Sequence, residues 1–494
     1  PAKMWKGIIE DGEEIFIYLD SDDKEEEIDH TRWYGEWSDL PDLLLEEIFS
    51  YLDIKSRYYA SLVCTSWYKI FHHSRVWHHL TIDDRTLTRR KFNYYMGYQY
   101  VLDHLRMQSF MTKVGNMITS LNFTPMVNFF NLYEFMNIFF YYHQKTGQYC
   151  SKIKSLKFTF NCNLNRHGDK QVFGTGGQML ESLKRLMDSM SNLQHLELNN
   201  LLLSPEEAHS LLDEVCYECC GTLRTLRLTN VTEVPFELLH VGTFVNLREL
   251  IISPQSLGDD VIKLLGWTRL TDLFIYQNDY THNYSHIDPK SWKVCKARNR
   301  TLRVHLWTER NLKTDQHTSQ DNQLTLFYHY FPLDAPVTSI VYDSSFIPVS
   351  VISCSCASEY YGNQLRVFGH LKLPRYQTER SFNLRCDSAL INMCHTCPNL
   401  TTLLVRERVS TSTVLLIAYT AKNLKHLYVR KNAVILRADW PQGPDWSNEF
   451  YSWLCQSSSS YTKTELEVSK LLGYSWSTLS DKEYKEIKYK NICN

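Results

Sequence analysis

The chain has little net charge: 53 Lys plus Arg stand against 55 Asp plus Glu in 494 residues. Such a balance excludes a global electrostatic pull toward nucleic acid or an anionic membrane. Long apolar runs are missing as well. The most hydrophobic stretch, VNFFNLYEFMNIFFYY from Val127, is broken by Glu134 and by asparagines. It falls short of the roughly 18 apolar residues that argue for a membrane span, so a buried helix is expected. No apolar segment follows the opening PAKMWKG, and no secretory signal is therefore expected in the sequence as it stands. Motifs for chemistry are also lacking. The glycine cluster in NRHGDKQVFGTGGQM lacks the Gly-Lys-Ser/Thr ending of a phosphate loop and the strand-led G-x-G-x-x-G of a dinucleotide loop. With no HExxH, carboxylate pair or Ser/His/Asp set standing out, no catalysis is expected of the chain.

Cysteine is plentiful, at 14 residues. Without a secretory signal this suggests reduced thiols in cytoplasm or nucleus. Cys394 with Cys397, Cys354 with Cys356, and Cys216 with Cys219 and Cys220 are the pairs to weigh as zinc ligands. A zinc site wants four ligands in two well-spaced pairs, whereas Cys397 and Cys220 each precede a recurrent strand pattern. Structural cysteines are expected, with no metal and no cofactor.

Residues 1–36 carry Glu10, Asp11, Glu13 and Glu14, then SDDKEEEIDH; such a run is expected to be solvated and poorly ordered, although IFIYL within it could pair or dock. The next stretch, DLPDLLLEEIFSYL, has more apolar residues than one helix face needs. With Pro41 in the first turn and Asp39 near the N-cap, Tyr51, Leu44, Ile48, Leu52, Leu45 and Phe49 spread over roughly 160° at ~100° per residue. A surface helix usually shows a stripe of about 100°. This one can bury one flank in its own domain and offer another to a partner. Downstream, IKSRYYASLVCTSWYKIFHHSRVW puts Leu62, Trp67 and Phe71 near one helical face.

From Leu40 to Trp77 the chain resembles the F-box: a leading Leu-Pro, the LL..IF.YL helix, the VC..W helix and a closing aromatic. Arg57 and Tyr58 depart from the pattern, standing where an Asp-Leu pair is common. The resemblance implies a three-helix module that docks on the Skp-type adaptor of a cullin-RING ubiquitin ligase. It implies that Leu40, Pro41, Leu44, Ile48 and Leu52 face the adaptor, helped by Val63 and Trp67.

Beyond the F-box, the trio Arg89, Arg90 and Lys91 among aromatics is too small for a nucleic-acid patch, and a solvated helix start is expected. Then a pattern recurs of apolar, two residues, apolar, one residue, apolar. It reads ITSLNF, IKSLKF, LQHLEL, LRTLRL, LRELII, LTDLFI, VTSIVY, LTTLLV and LKHLYV, with helical stretches between copies. Tight steps of 30, 24, 23 and 24 residues approach the ~20 to 29 residue period of leucine-rich repeats. A strand plus a helix cannot bury its apolar face alone, so units must stack. With period-two alternation, Glu197, Arg227, Ile251, Phe274, Leu404 and Tyr428 near the strand centres are expected to line the concave face, and Asn200, Asn230, Asn278 and Asn432 stand near turn ends.

Near the end, ADWPQGPDWSNEFYSWLCQSSSSY concentrates aromatics, as a terminal cap would; the same residues would suit a client anchor. LLGYSWSTLSDKEY looks like the middle of an HMG box, but its basic residues are balanced by acids and no DNA binding is expected. DPKSWKVCKARNRTLRVHLW and LSDKEY are similar to the F-box-only proteins 33 and 39, which also carry degenerate repeats.

The expected fold is an α/β solenoid, with a three-helix F-box followed by an irregular leucine-rich-repeat horseshoe. The expected segments are an acidic stretch at 1–36, the F-box at 37–83, a helical linker at 84–117, the repeats at 118–436 and an aromatic cap with tail helix at 437–494. The expected function is substrate recognition in an SCF-type ligase, with Arg227, Phe274, Arg406, Tyr428, Trp446 and Trp453 as client contacts. Arg227 and Arg406 could read a phosphorylated client. Expected partners are the Skp-type adaptor, through it cullin and RING subunits, and a client protein, with neither nucleic acid nor membrane. The alternative is a non-catalytic scaffold that binds the adaptor or another partner without recruiting a ligase.

Overall fold

The computed structural model describes residues 37, 40–95, 97–161, 174–281, 286–310, 330–377, 379–489 and 492. The acidic stretch 1–36, Asp39 and most of the glycine-containing loop lie outside the described residues. The chain divides into two compact units, Pro1–Phe71 and His72–Asn494.

The first unit holds three helices: α1 (Asp42–Tyr51), α2 (Ile54–Ala60) and α3 (Thr65–Phe71). Pro41 itself is the N-cap of α1 and supplies no side-chain cap. At α2 the cap is chemical, Asp53 accepting from the Ser56 amide at 2.6 Å. Leu62 falls in the turn before α3 and not on it, so it does not share a helical face with Trp67. The core is formed by Leu45 and Phe49 of α1, Arg57 of α2 and Ile70 of α3, all buried.

Arg57 explains the departure at the helix junction. Its guanidinium donates to the carbonyls of Phe49 (2.9 Å) and Ser50 (2.8 Å) at the end of α1, where the last carbonyls lack the regular intrahelical bond and Phe49 O also accepts from the Leu52 amide at 3.2 Å. A cation there also favours the helix dipole. Burial lowers the Arg57 pKa, and Asp53 opposes that shift.

The second unit is built on a 12-stranded sheet whose strands pair in parallel and follow chain order, from His79–Ile82 through Ser120–Phe123, Ser155–Thr159, His195–Asn199, Thr225–Thr229, Glu249–Ile252, Asp272–Gln277, Arg303–Arg310, Val337–Ser344, Val367–Leu371 and Thr402–Val405 to His426–Val429. The apolar spacing sets its register. Leu80, Leu121, Leu156, Leu196, Leu226, Leu250, Leu273 and Val304 stand opposite one another in successive strands and are all buried. Helices return the chain between most strands. One of them, Pro205–Cys219, opens on a capping box in which Ser204 and Glu207 satisfy each other's amides. Asn200 and Asn230 sit at φ 58° and 47°, a left-handed region asparagine tolerates; Asn230 Nδ2 donates to Asn200 Oδ1 at 2.9 Å and to Asn278 Oδ1 at 2.6 Å. The asparagines thus bind the strand-end turns to one another.

Two segments differ from the sequence expectation. The strand His79–Ile82 already belongs to the sheet, so the stacked units begin before residue 118. The supposed helical linker contains an antiparallel hairpin, Thr88–Asn93 with Gly97–Leu102, and turns helical only at His104–Val114. Gly97, at φ 73°, makes the tight reversal possible. Asn131, fully buried, fixes the hairpin base by donating to Tyr100 O (2.9 Å) and accepting from Leu102 N (3.0 Å).

At the far end, helices Asn448–Ser457 and Tyr461–Leu472 pack near the helix Thr411–Thr420. The chain then runs along the last strand: Trp476 Nε1 donates to Leu427 O at 2.7 Å and Leu479 N to Val429 O at 2.9 Å. An edge strand that would template foreign pairing is covered there by the chain itself. The stretch with an HMG-like look is therefore used internally, Trp476 and Tyr484 being buried.

Candidate functional site

The α1 surface divides as its surplus of apolar residues requires. Leu45 and Phe49 are buried, while Leu44 (52%), Ile48 (41%) and Tyr51 (80%) are exposed. Leu43 is also exposed, and so are Leu62 and Val63 in the turn ahead of α3. Of the expected adaptor-facing residues, Pro41, Leu44, Ile48 and Val63 are exposed, and Leu40, Leu52 and Trp67 are half-buried. Trp67 supports the others: its ring meets Phe49 edge-on at 5.7 Å, and its Nε1 donates to Trp37 O at 3.3 Å. Leu43, Tyr51 and Leu62 add to the exposed apolar surface; of these, Tyr51 belongs to the α1 stripe that is wider than one core needs.

Residues 37–79 match the model of the F-box domain. The chain carries an F-box. No curated protein matches the chain. Among solved structures that match is the crystal structure of a TLR13–ssRNA13 complex, at 14% identity and a TM-score of 0.29, covering 65% of this chain and 43% of that one. The chain thus spans less than half of that neighbour, and a likeness at this level carries no argument about fold or function.

The residues expected to contact a client fall in three places. Arg227 and Phe274 stand on one face of the sheet in a register row with Glu197 and Ile251. Arg227 lies over the rings of Tyr276 (4.7 Å) and Trp307 (5.3 Å). Phe274 stacks on His305 at 4.4 Å. Tyr428, at the last strand, faces Leu404 across the register. On this face lies the chain's own tail. Tyr489 stacks on Trp307 at 4.3 Å and 6° and meets Phe274 at 5.9 Å. Tyr489 and Ile492 close a buried cluster with Val341, Val367, Leu371 and Leu404, against which Phe274, Trp307, Tyr428 and Ile487 pack. Leu404 is therefore covered by the tail.

Arg406 has to be corrected outright. Its side chain is fully buried and donates to the carbonyls of Ser344, Ile347, Leu371 (2.8 Å) and Lys372 (2.9 Å), with Glu407 at 3.2 Å. It ties together the turns after three neighbouring strands and is not available to a phosphate. Trp446 and Trp453 form the third group. Trp446 meets Phe450 at 5.4 Å, and Phe450 packs on Trp453 (5.4 Å) and on Tyr419 (4.9 Å), so these half-buried rings bridge the terminal helices to the helix Thr411–Thr420.

A surface with no counterpart in the sequence expectation is the hairpin. Phe92, Tyr94, Tyr95, Tyr98 and Tyr100 are exposed there, with Arg90 over the Tyr98 ring at 4.1 Å. Burial pushes Cys394 up to about 12 and Cys397 and Cys219 up to about 11, where the neutral thiol prevails. No helix among the described residues is long and apolar enough to cross a membrane.

Proposed function

We propose that the protein is a substrate-recognition subunit of an SCF-type ubiquitin ligase, binding a Skp-type adaptor through α1 and the turn before α3. The observation that carries this is the F-box match at residues 37–79 together with Leu44, Ile48 and Val63 exposed beside a helix flank already buried at Leu45 and Phe49. Burying Leu44 and Ile48 on a partner would contribute on the order of 1.5–3 kcal/mol each before association costs. We read the stacked strand–helix units as degenerate leucine-rich repeats forming a solenoid, and the described hairpin and sheet face as the surfaces left for a client. The chain's own role is to raise the effective concentration of that client near a ubiquitin-charged carrier. A closer kinship with the F-box-only proteins 33 and 39 rests on residues 288–307 and 479–484 alone. A location in cytoplasm or nucleus goes with this reading.

Proximity labelling with wild type and Ile48→Asp tests the division of labour. Adaptor, cullin and RING subunits should leave the labelled set in the variant while clients persist. Loss of every neighbour together would reject separate adaptor and client surfaces. Adaptor without cullin in the wild-type set would instead favour a scaffold.

A further inference from the structure

We infer that His209, Asp213 and His240 form a binding site for one zinc-class divalent cation, built from residues outside the F-box. His209 and Asp213 lie one turn apart on the helix Pro205–Cys219, and His240 belongs to the short 3-10 helix Leu239–Gly242 of the next unit. Their ligand atoms all fall within 4.8 Å of one another. His209 Nδ1 is 2.9 Å from His240 Nε2, Asp213 Oδ1 is 2.9 Å from the same Nε2, and His209 Nε2 is 3.9 Å from Asp213 Oδ2.

Hydrogen bonding alone serves this arrangement poorly. A neutral imidazole nitrogen either donates once or accepts. If His240 Nε2 carries the hydrogen, that hydrogen is divided between a carboxylate oxygen and the His209 nitrogen; if it does not, a lone pair faces a carboxylate. A divalent cation removes the conflict, because all three atoms then present lone pairs to one centre. His240 Nδ1 is buried and without a hydrogen-bond partner, so no second contact fixes the tautomer against presenting Nε2 as a ligand. Charge agrees. Among the described residues, the ion-pair partners of Asp213 are these two histidines, with no Lys or Arg to neutralise it.

The donor set selects the ion class. Two imidazole nitrogens and one carboxylate oxygen suit zinc and its first-row neighbours, whereas magnesium and calcium prefer oxygen shells. Three protein ligands leave a fourth position for water or for a side chain of a bound protein. Cys216 does not fill it, its Sγ being turned to Thr243 Oγ1 at 3.1 Å. The ion would clamp one unit's helix to the next unit's turn, and would raise the melting temperature by linkage.

The test is a titration of the full chain, stripped with chelator, with Zn²⁺ followed by calorimetry and with Co²⁺ followed by visible absorption. Wild type should take up one equivalent at this site with a rise in melting temperature. His209→Ala and Asp213→Asn, both at exposed positions and so safe for folding, should each weaken that binding at least tenfold and abolish the thermal shift. Absence of saturable binding overturns the site. So does wild-type affinity in either variant, which places the ion elsewhere, or a cobalt spectrum dominated by thiolate charge transfer, which places it on cysteines.

Discussion

Ile48 and Phe49 are neighbours in sequence with opposite fates, one exposed at 41% and the other sealed in the F-box core. That contrast was legible in the sequence, because apolar residues covering more arc than one core needs must include some that face outward. Arg57 was visible only as a departure from a pattern. Its use, capping two carbonyls at the end of α1, depends on where α2 lands, and periodicity does not encode that. Arg57→Met should remove both hydrogen bonds, leaving Phe49 O with the Leu52 amide at 3.2 Å and the half-buried Ser50 carbonyl without the guanidinium, at a cost of about 1–3 kcal/mol. Faster hydrogen exchange across α1–α3, with the sheet unit unchanged, would check it. Arg406 was misjudged for a similar reason: a strand-end arginine reads as surface charge until the turns that converge on it are known.

A second residue-level prediction concerns acid. Burial pushes Asp272 up, but hydrogen bonds from His305, Arg303 and Thr271 outweigh it and hold the carboxyl at about 2, against an ordinary value of about 3.9. Burial also lowers the pKa of His305, with Asp272 opposing, so the imidazole stays neutral, its Nε2 3.1 Å from Asp272 Oδ1. Both groups bind protons more readily when unfolded. Stability is therefore lost as pH falls, first below the ordinary histidine value and then from the ordinary aspartate range toward about 2. Thermal melts of wild type and His305→Gln between pH 7 and 4 should converge at the acid end. A gap that widens on acidification would contradict this assignment.

At the scale of elements, the sheet was legible because leucines at fixed spacing specify both a strand and its register. The hairpin at 88–102 was not recognised, although its run of aromatics around Gly97 is a strand–turn–strand signal; the nearby basic trio suggested a solvated helix start instead. The tail was harder still. Nothing local in Tyr489 announces that it will stack on Trp307, a contact between residues far apart in the chain. Tyr489→Ala should open the cluster of Val341, Val367 and Leu404 and cost about 3 kcal/mol, in the range for truncating a large core aromatic, measurable as a lower urea midpoint. If clients use this face, the same variant should also change client capture without touching adaptor binding, which proximity labelling would show.

At the scale of the whole molecule, the chain divides into two compact units, and the proposed function would give them two tasks, one surface for a shared adaptor and another for a particular client. The expected adaptor-facing surface is the better specified by residue type, because the F-box pattern fixes which side chains are free; a client surface, as proposed, would depend on how hairpin, sheet and tail share space, which single residues do not encode. Adaptor docking through α1 is tested by the affinity of the full chain for purified Skp-type adaptor, compared between wild type and Ile48→Asp by calorimetry, with melting temperature measured on both. Wild type should bind, and Ile48→Asp should lose at least tenfold in affinity with its melting temperature unchanged. Equal binding by the two proteins, or none by the wild type, would contradict the account.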